Sequence, residues 1–276
     1  CTTYEIDTTA FEGPIPEPLL EAPKAENLDV AAFESWKKSN VIQQKQAGYV
    51  AIGIKVPLGD FYTDKARLLA DLIKNYGANE LRFTLRQDIL IRNIKQDNLV
   101  FFYQELEKLG FVALGYNSTA DITACPGTDT CNLGIASSTG IATELERVLA
   151  AEYPQYNDNN DITIKISGCM NACGQHNMAH IGFQGMSINS GKLVAPALQV
   201  LLGGGNLGNG QGRFADKVIK IPSRRGPEAL RFILNDFEAN ANGLKFLDYY
   251  DAKGEKYFFE LLTPLSETDN LTDEDF

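Results

Sequence analysis

Four of the chain's five cysteines stand in two close pairs, Cys125-Pro-Gly-Thr-Asp-Thr-Cys131 and Cys169-Met-Asn-Ala-Cys173, with residues 132 to 168 between them. Pairs this far apart can serve one inorganic centre only if the fold carries both to one place, so the spacing constrains tertiary structure as well as chemistry. The local chain suits that role. Pro126 and Gly127 interrupt the first pair and Gly168 and Gly174 flank the second, and both residue types permit the sharp bends that a wrapped cofactor demands. Four readings compete. Structural zinc draws on cysteines two to four residues apart, and the wider gap from Cys125 to Cys131 counts against it. Disulfides need an oxidising compartment and usually an even cysteine count, whereas this chain has five cysteines, reads without a secretory segment, and is long enough to build a core without staples. Cysteines used only as small hydrophobes would not gather beside Gly and Pro. A four-cysteine iron–sulfur cluster fits the layout best.

At 276 residues, 44% hydrophobic and 22% charged, the chain has room for one large or two small domains, and no apolar run approaches the roughly 18 residues that span a bilayer. No membrane role is expected. The net charge of −11 is unevenly spread: residues 1–40 carry −5, residues 248–276 carry −7, and the remainder +1. Without a basic stripe to support it, no nucleic-acid partner is expected. Residues 1–40, with Pro14, Pro16, Pro18 and Pro23 among acids before a more helical Val30 to Lys38, read as a linker from a missing upstream half; 243–276 read as an acidic C-terminal tail. Cys1 in place of Met points to a fragment of a longer chain or an excised segment rather than a processed lipoprotein.

Periodicity divides the rest at about residue 115. Gly48 to Val56 alternates as a strand, Thr63 to Tyr76 carries apolar residues at helical spacing, Glu80 to Arg86 and Ile89 to Ile94 alternate again, Asn98 to Leu109 is a second amphipathic helix, and Phe111 to Leu114 a short closing strand. That order is a ferredoxin-like βαββαβ unit over 41–115, within an α+β fold. Over 116–242 the expectation is a mixed α/β domain. It has a helix from about Ile141 to Glu152, strands at Asp161 to Ser167, Ala179 to Ile188, Leu198 to Leu202 and Val218 to Ile221, and a helix at Pro227 to Ala239. The cysteine pairs then fall at strand and helix ends, where loops can enclose a cofactor.

Five segments carry a family resemblance: Gly48-Tyr-Val-Ala-Ile-Gly-Ile-Lys-Val-Pro-Leu-Gly-Asp60, Glu80-Leu-Arg-Phe-Thr-Leu-Arg-Gln-Asp-Ile-Leu-Ile91, Ala124 to Cys131, Ser167-Gly-Cys-Met-Asn-Ala-Cys-Gly-Gln175, and Ile181-Gly-Phe-Gln-Gly185. In order, over about residues 40 to 240, the chain resembles the assimilatory, ferredoxin-type nitrite and sulfite reductases that couple sirohaem to a [4Fe–4S] cluster, and within them the C-terminal of two repeated halves. The resemblance implies that 116–242 is the sirohaem and [4Fe–4S] domain. It implies that Cys125, Cys131, Cys169 and Cys173 hold the cluster, and that Cys173 is also the bridging axial ligand to sirohaem iron and so the catalytic residue. Backbone groups of Gly168, Asn171 and Gly174 would tune the cluster. Implied too are the six-electron reduction of nitrite to ammonia or sulfite to sulfide, ferredoxin or a similar carrier as donor, and a cytoplasmic setting. Most anion-gripping bases of the family lie in the other half, so this chain alone would lack a complete anion pocket.

Its own candidates for sirohaem are Gln87, in the Arg-Gln-Asp turn, and Lys165, on the strand that delivers Cys169; the plainer alternatives are a turn residue and a solvated strand residue. Arg82, Arg86 and Arg92 could line an anion site, but alternation puts Arg82 and Arg86 on one face of a strand unit, and they read as surface charges. His176 and His180 read as surface or hydrogen-bonded core residues rather than proton donors. The glycine run from Gly203 to Gly212 suits either a long hairpin or amides that approach carboxylates, and it lacks the lysine and helix of a phosphate loop. Gln175, directly after Cys173-Gly174, resembles the nitrite group, where sulfite enzymes more often have Arg. Two alternatives stay open: a single-repeat sirohaem protein that dimerises to complete its site, and a non-catalytic iron–sulfur or zinc module.

Overall fold

A computed structural model describes residues 14–24, 27–269 and 271–272. Cys1 and the end of the acidic C-terminus lie outside them. The chain divides into two compact units, the first comprising the chain up to Ile54 with Phe61–Thr84 and Asp88–Ala113, the second Lys55–Asp60, Leu85–Gln87 and everything from Leu114.

The first unit opens with α1 (Val30–Asn40), started by the Asp29 carboxylate accepting from the Ala32 amide. There follow β1 (Val41–Gln43), β2 (Tyr49–Ile54), α2 (Thr63–Tyr76), β3 (Leu81–Phe83), β4 (Ile89–Lys95) and α3 (Leu99–Leu109). The sheet runs β1-β2-β4-β3, antiparallel throughout. Helix α2 buries Leu69, Leu72 and Ile73 and α3 buries Phe102 and Leu106, while β4 buries alternate residues Ile89 and Ile91 as a half-covered strand must. Two expectations need correction. Phe111 to Leu114 forms no closing strand; β1 takes the edge beside β2, with Val41 opposite Ile52. The fully buried Asn40 donates to Gly53 O at 3.0 Å and Ala113 O at 2.9 Å, so a side chain anchors the segment after α3 where a ladder was expected. Nor are residues 1–40 all linker, because α1 buries Phe33 and Trp36 against Tyr103.

The second unit contains β5 (Thr123–Ala124), α4 (Ser138–Glu152), β6 (Ile164–Ser167), β7 (Ile181–Ser190), β8 (Leu193–Leu202), β9 (Gly205–Gly208), β10 (Gln211–Arg213), β11 (Asp216–Pro222), α5 (Gly226–Asn240), α6 (Phe246–Lys253) and α7 (Glu255–Leu262). Its five-stranded sheet runs β11-β8-β7-β6-β5, with β5, β6 and β7 parallel and β7, β8 and β11 antiparallel. The glycine run becomes an antiparallel β9–β10 ribbon. Leu145 and Leu149 of α4 and Leu230, Ile233 and Leu234 of α5 share one core with Ile164, Ile166, Phe183 and Val200 of the sheet.

The expected acidic tail from 243 is the third correction. Phe246, Tyr249, Tyr250, Phe258, Leu262 and Leu265 are all buried in that same core. The Asp236 carboxylate accepts from the Tyr249 and Tyr257 hydroxyls, each at 2.6 Å. Within it Asp248, Asp251, Glu255 and Glu260 are exposed on two short helices whose inner faces are aromatic.

Candidate functional site

The cysteine loops start from neighbouring strand ends. Thr123 pairs with Lys165 and Ala124 with Ile166 in parallel register, so the residues that follow, Cys125 and Ser167-Gly168-Cys169, emerge side by side. Cys125 N–H donates to Ile166 O at 3.2 Å, and Gly168 N–H donates to Cys125 Sγ at 3.2 Å. The first loop turns at Gly127–Asp129, where Cys131 N–H bonds Gly127 O, and returns so that the Ile135 and Ala136 amides both donate to Gly168 O at 2.8 and 3.1 Å. At the crossing there is no room for side chains. A Cβ on Gly168 would stand 2.7 Å from Gly127 Cα and 2.8 Å from Ala136 O.

The second loop coils after Cys169. Ala172 and Gln175 both adopt left-handed conformations, with φ of 58° and 60°, and Gln175 N–H bonds Ala172 O. Gly174 N–H donates to Ser167 Oγ, and a Cβ there would lie 1.9 Å from Ile166 O. Cys169 is buried, Cys125 half-buried, and Cys131 and Cys173 exposed, all as free thiols. Among the described residues no group of three or more His, Cys, Asp or Glu side chains is placed to hold one metal ion. Where the two loops adjoin, the Cys125 sulfur accepts the Gly168 amide, the kind of donor that surrounds a cluster thiolate.

Of the two sirohaem candidates, Gln87 has φ of 71°, its Oε1 accepts the Ala124 amide at 3.0 Å, and its Nε2 reaches Leu58 O at 3.4 Å. It is thus a turn residue whose carboxamide ties the 55–60 segment to β5, directly before Cys125. Lys165 Nζ donates to Gln175 Oε1 at 2.6 Å, joining β6 to the end of the second cysteine loop. Burial pushes the Lys165 ammonium below its usual range; Arg86 adds to the effect and Asp121 opposes it. Arg86 donates to Ser118 O at 2.9 Å with the Asp121 carboxylate 4.0 Å away, and its side chain is largely buried, against the expectation of a surface charge. Arg82 and Arg92 pair with Glu80 in the first unit.

Both histidines are structural in their surroundings. His180 Nδ1 accepts from the Thr163 amide at 2.8 Å, and burial, helped by Arg86, holds its pKa down to about 4. His176 is buried and likewise held to about 4, burial outweighing its hydrogen bond with Gln184. Near neutrality both rings are therefore uncharged, each with one nitrogen protonated. Sequence reasoning missed Ser138, which touches Cys125, and the Lys165–Gln175 bond; a serine at a helix start signals capping, and nothing in residue order pairs Lys165 with Gln175.

Residues 42–109 match the nitrite/sulfite reductase ferredoxin-like half domain, and residues 115–267 match the nitrite and sulphite reductase 4Fe-4S domain. The chain is 29% identical over 190 residues to the chloroplastic ferredoxin–nitrite reductase of Spinacia oleracea, covering 66% of this chain and 31% of that protein. It is 30% identical over 215 residues to a ferredoxin sulfite reductase of Mycolicibacterium paratuberculosis, covering 76% of this chain and 36% of the other. The solved structure of the NirA protein of Mycobacterium tuberculosis superposes with a TM-score of 0.66 at 25% identity, covering 89% of this chain and 43% of that one. The chain therefore spans about a third of the length of the curated relatives it matches. It belongs to the nitrite and sulphite reductase family, with that family's ferredoxin-like half domain ahead of its 4Fe-4S domain.

Proposed function

We propose that this chain is the cluster-bearing half of a sirohaem-dependent reductase that takes nitrite to ammonia, or sulfite to sulfide, with electrons from ferredoxin or a similar carrier. One observation carries the reading. Gly168 N–H donates to Cys125 Sγ where the two cysteine loops meet, beyond the adjoining ends of β5 and β6. Relatives named for nitrite and for sulfite reduction, and a family whose cofactors are a [4Fe–4S] cluster and sirohaem, support it.

In this reading Cys125, Cys131, Cys169 and Cys173 ligate the cluster, and the exposed Cys173 also bridges to sirohaem iron. The bound cofactors supply the iron that holds the anion and the path for its electrons. The chain's own work is positional. The glycine crossing holds both loops together, Gln87 anchors β5 before Cys125, and Lys165, kept in place by Gln175, offers a cation to a sirohaem carboxylate. Gln87 keeps one amide hydrogen for the same macrocycle. The remaining anion grip comes from polypeptide outside these residues, in the other half of a two-half enzyme. A cytoplasmic setting, where thiols stay reduced, suits the four free cysteines. Gln175 leans the substrate toward nitrite.

Anaerobic reconstitution with iron, sulfide and sirohaem tests this by absorption spectroscopy. Sirohaem bands with cluster absorbance are expected; cluster absorbance alone would favour an electron-transfer module, and a colourless zinc protein would reject every cluster reading. Mass in solution separates a dimeric single-repeat protein from a half enzyme. Cys173→Ser is expected to lose both the cluster and its coupling to sirohaem, and an unchanged coupled spectrum would remove the bridging assignment.

A further inference from the structure

Ser138, the first residue of α4, is fully buried, yet the helix does not need its hydroxyl. Capping is done by Ser137, whose Oγ accepts the Gly140 amide at 3.2 Å. A buried hydroxyl is costly unless it is bonded, so its partners matter. Ser138 Oγ donates to the Cys125 carbonyl at 2.6 Å and stands 3.5 Å from Cys125 Sγ. The first cysteine loop closes over it at Gly127, where a Cβ would lie 2.2 Å from that oxygen. Both the backbone and the sulfur of Cys125 are thus set against one side chain.

The hydroxyl has a single hydrogen and two acceptors in reach. While Cys125 is a thiol, its S–H can donate to Oγ as Oγ–H donates to the carbonyl. A ligated sulfur has no proton and can only accept, so a turn about the Ser138 Cβ–Oγ bond presents the hydroxyl hydrogen to it. The sulfur then accepts twice, from Gly168 N–H and from Ser138, at the positive end of a fifteen-residue helix. Donors directed at a cluster thiolate stabilise the reduced, more negative core and raise its reduction potential.

We propose that Ser138 is a positioning residue for the cluster: its one hydroxyl hydrogen, given to the Cys125 carbonyl in the thiol form, turns to the ligated sulfur and raises the cluster's reduction potential. The proposal rests on Cys125 being a cluster ligand. The test compares wild type, Ser138→Ala and Thr139→Ala, each reconstituted with iron and sulfide, by redox titration followed by electron paramagnetic resonance and by the rate of iron loss to a ferrous chelator. Alanine is smaller than serine and favours helix, so Ser138→Ala folds. Thr139 bonds Asp129 in the same loop at 2.5 Å and has no bond to sulfur among the described residues, so its variant controls for loosening of the loop. Ser138→Ala should shift the midpoint potential negative and lose iron about tenfold faster, with Thr139→Ala keeping the wild-type potential. A cluster in all three proteins with the same potential overturns the role of Ser138 while leaving the cluster reading intact, and an equal shift in both variants assigns the effect to the loop and also overturns it. Failure of wild type to take up a cluster overturns the cluster reading and the proposal with it.

Discussion

Gly168→Ala tests the crossing of the two cysteine loops. The added methyl would stand 2.7 Å from Gly127 Cα and 2.8 Å from Ala136 O, where ordinary contact begins at 3.4 Å, so the loops must part by about 0.7 Å. Neither neighbour is the end of a flexible side chain, and Gly168 O is already held by the Ile135 and Ala136 amides. Overpacking of this kind costs about 2 kcal/mol, a fall of about 4–8 °C in Tm for a unit of this size. The same displacement lengthens the 3.2 Å bond from Gly168 N–H to Cys125 Sγ, so iron retained after reconstitution should fall further than stability alone explains. Circular dichroism of the cluster-free protein reads the first effect and iron per chain reads the second. A variant with wild-type Tm and full iron content would refute the tight crossing, and one that loses Tm but keeps all its iron would show that the crossing does not govern the cysteines.

Gln87→Ala leaves the Ala124 amide without its acceptor and should lower cluster occupancy at a cost of about 1–2 kcal/mol; unchanged iron content would count against an anchoring role. Asp236→Ala strips the Tyr249 and Tyr257 hydroxyls of their shared carboxylate, and chemical denaturation should show a loss of about 2 kcal/mol with α6 and α7 loosened. His176 and His180, held to about 4 against 6.5 for the free group, take up protons in the unfolded chain before the folded one does. Their contribution to stability is therefore complete above pH 6.5 and is lost as pH falls toward 4, and His180→Gln should flatten that part of the Tm profile.

Where burial repeats with the period of the backbone itself, residue order was enough. Helix α2 falls on the expected Thr63–Tyr76 because its apolar residues return at helical spacing, and β4 is equally plain from its alternation. The cysteine loops were legible too, since close backbone approach requires glycine at the point of approach, and Gly168 and Gly174 stand there. Charge counted along the chain misled at 243–276. A sum over residues does not say which face each occupies, and the buried aromatics of α6 and α7 lie among acids that face outward.

By itself the sequence determined which segments coil or extend, where the turns must be tight, and that four thiols lie in two glycine-flanked loops. Tertiary structure decided that β1 takes the sheet edge, that Gln87 reaches the Ala124 amide, and that Ser138 meets the sulfur of Cys125. The physical reason is strand register. Parallel pairing of Ala124 with Ile166 brings Cys125 beside Gly168, and a slip of one residue would turn every side chain of β5 to the opposite face. Local periodicity carries no record of that choice, which rests on how the whole core packs around the sheet.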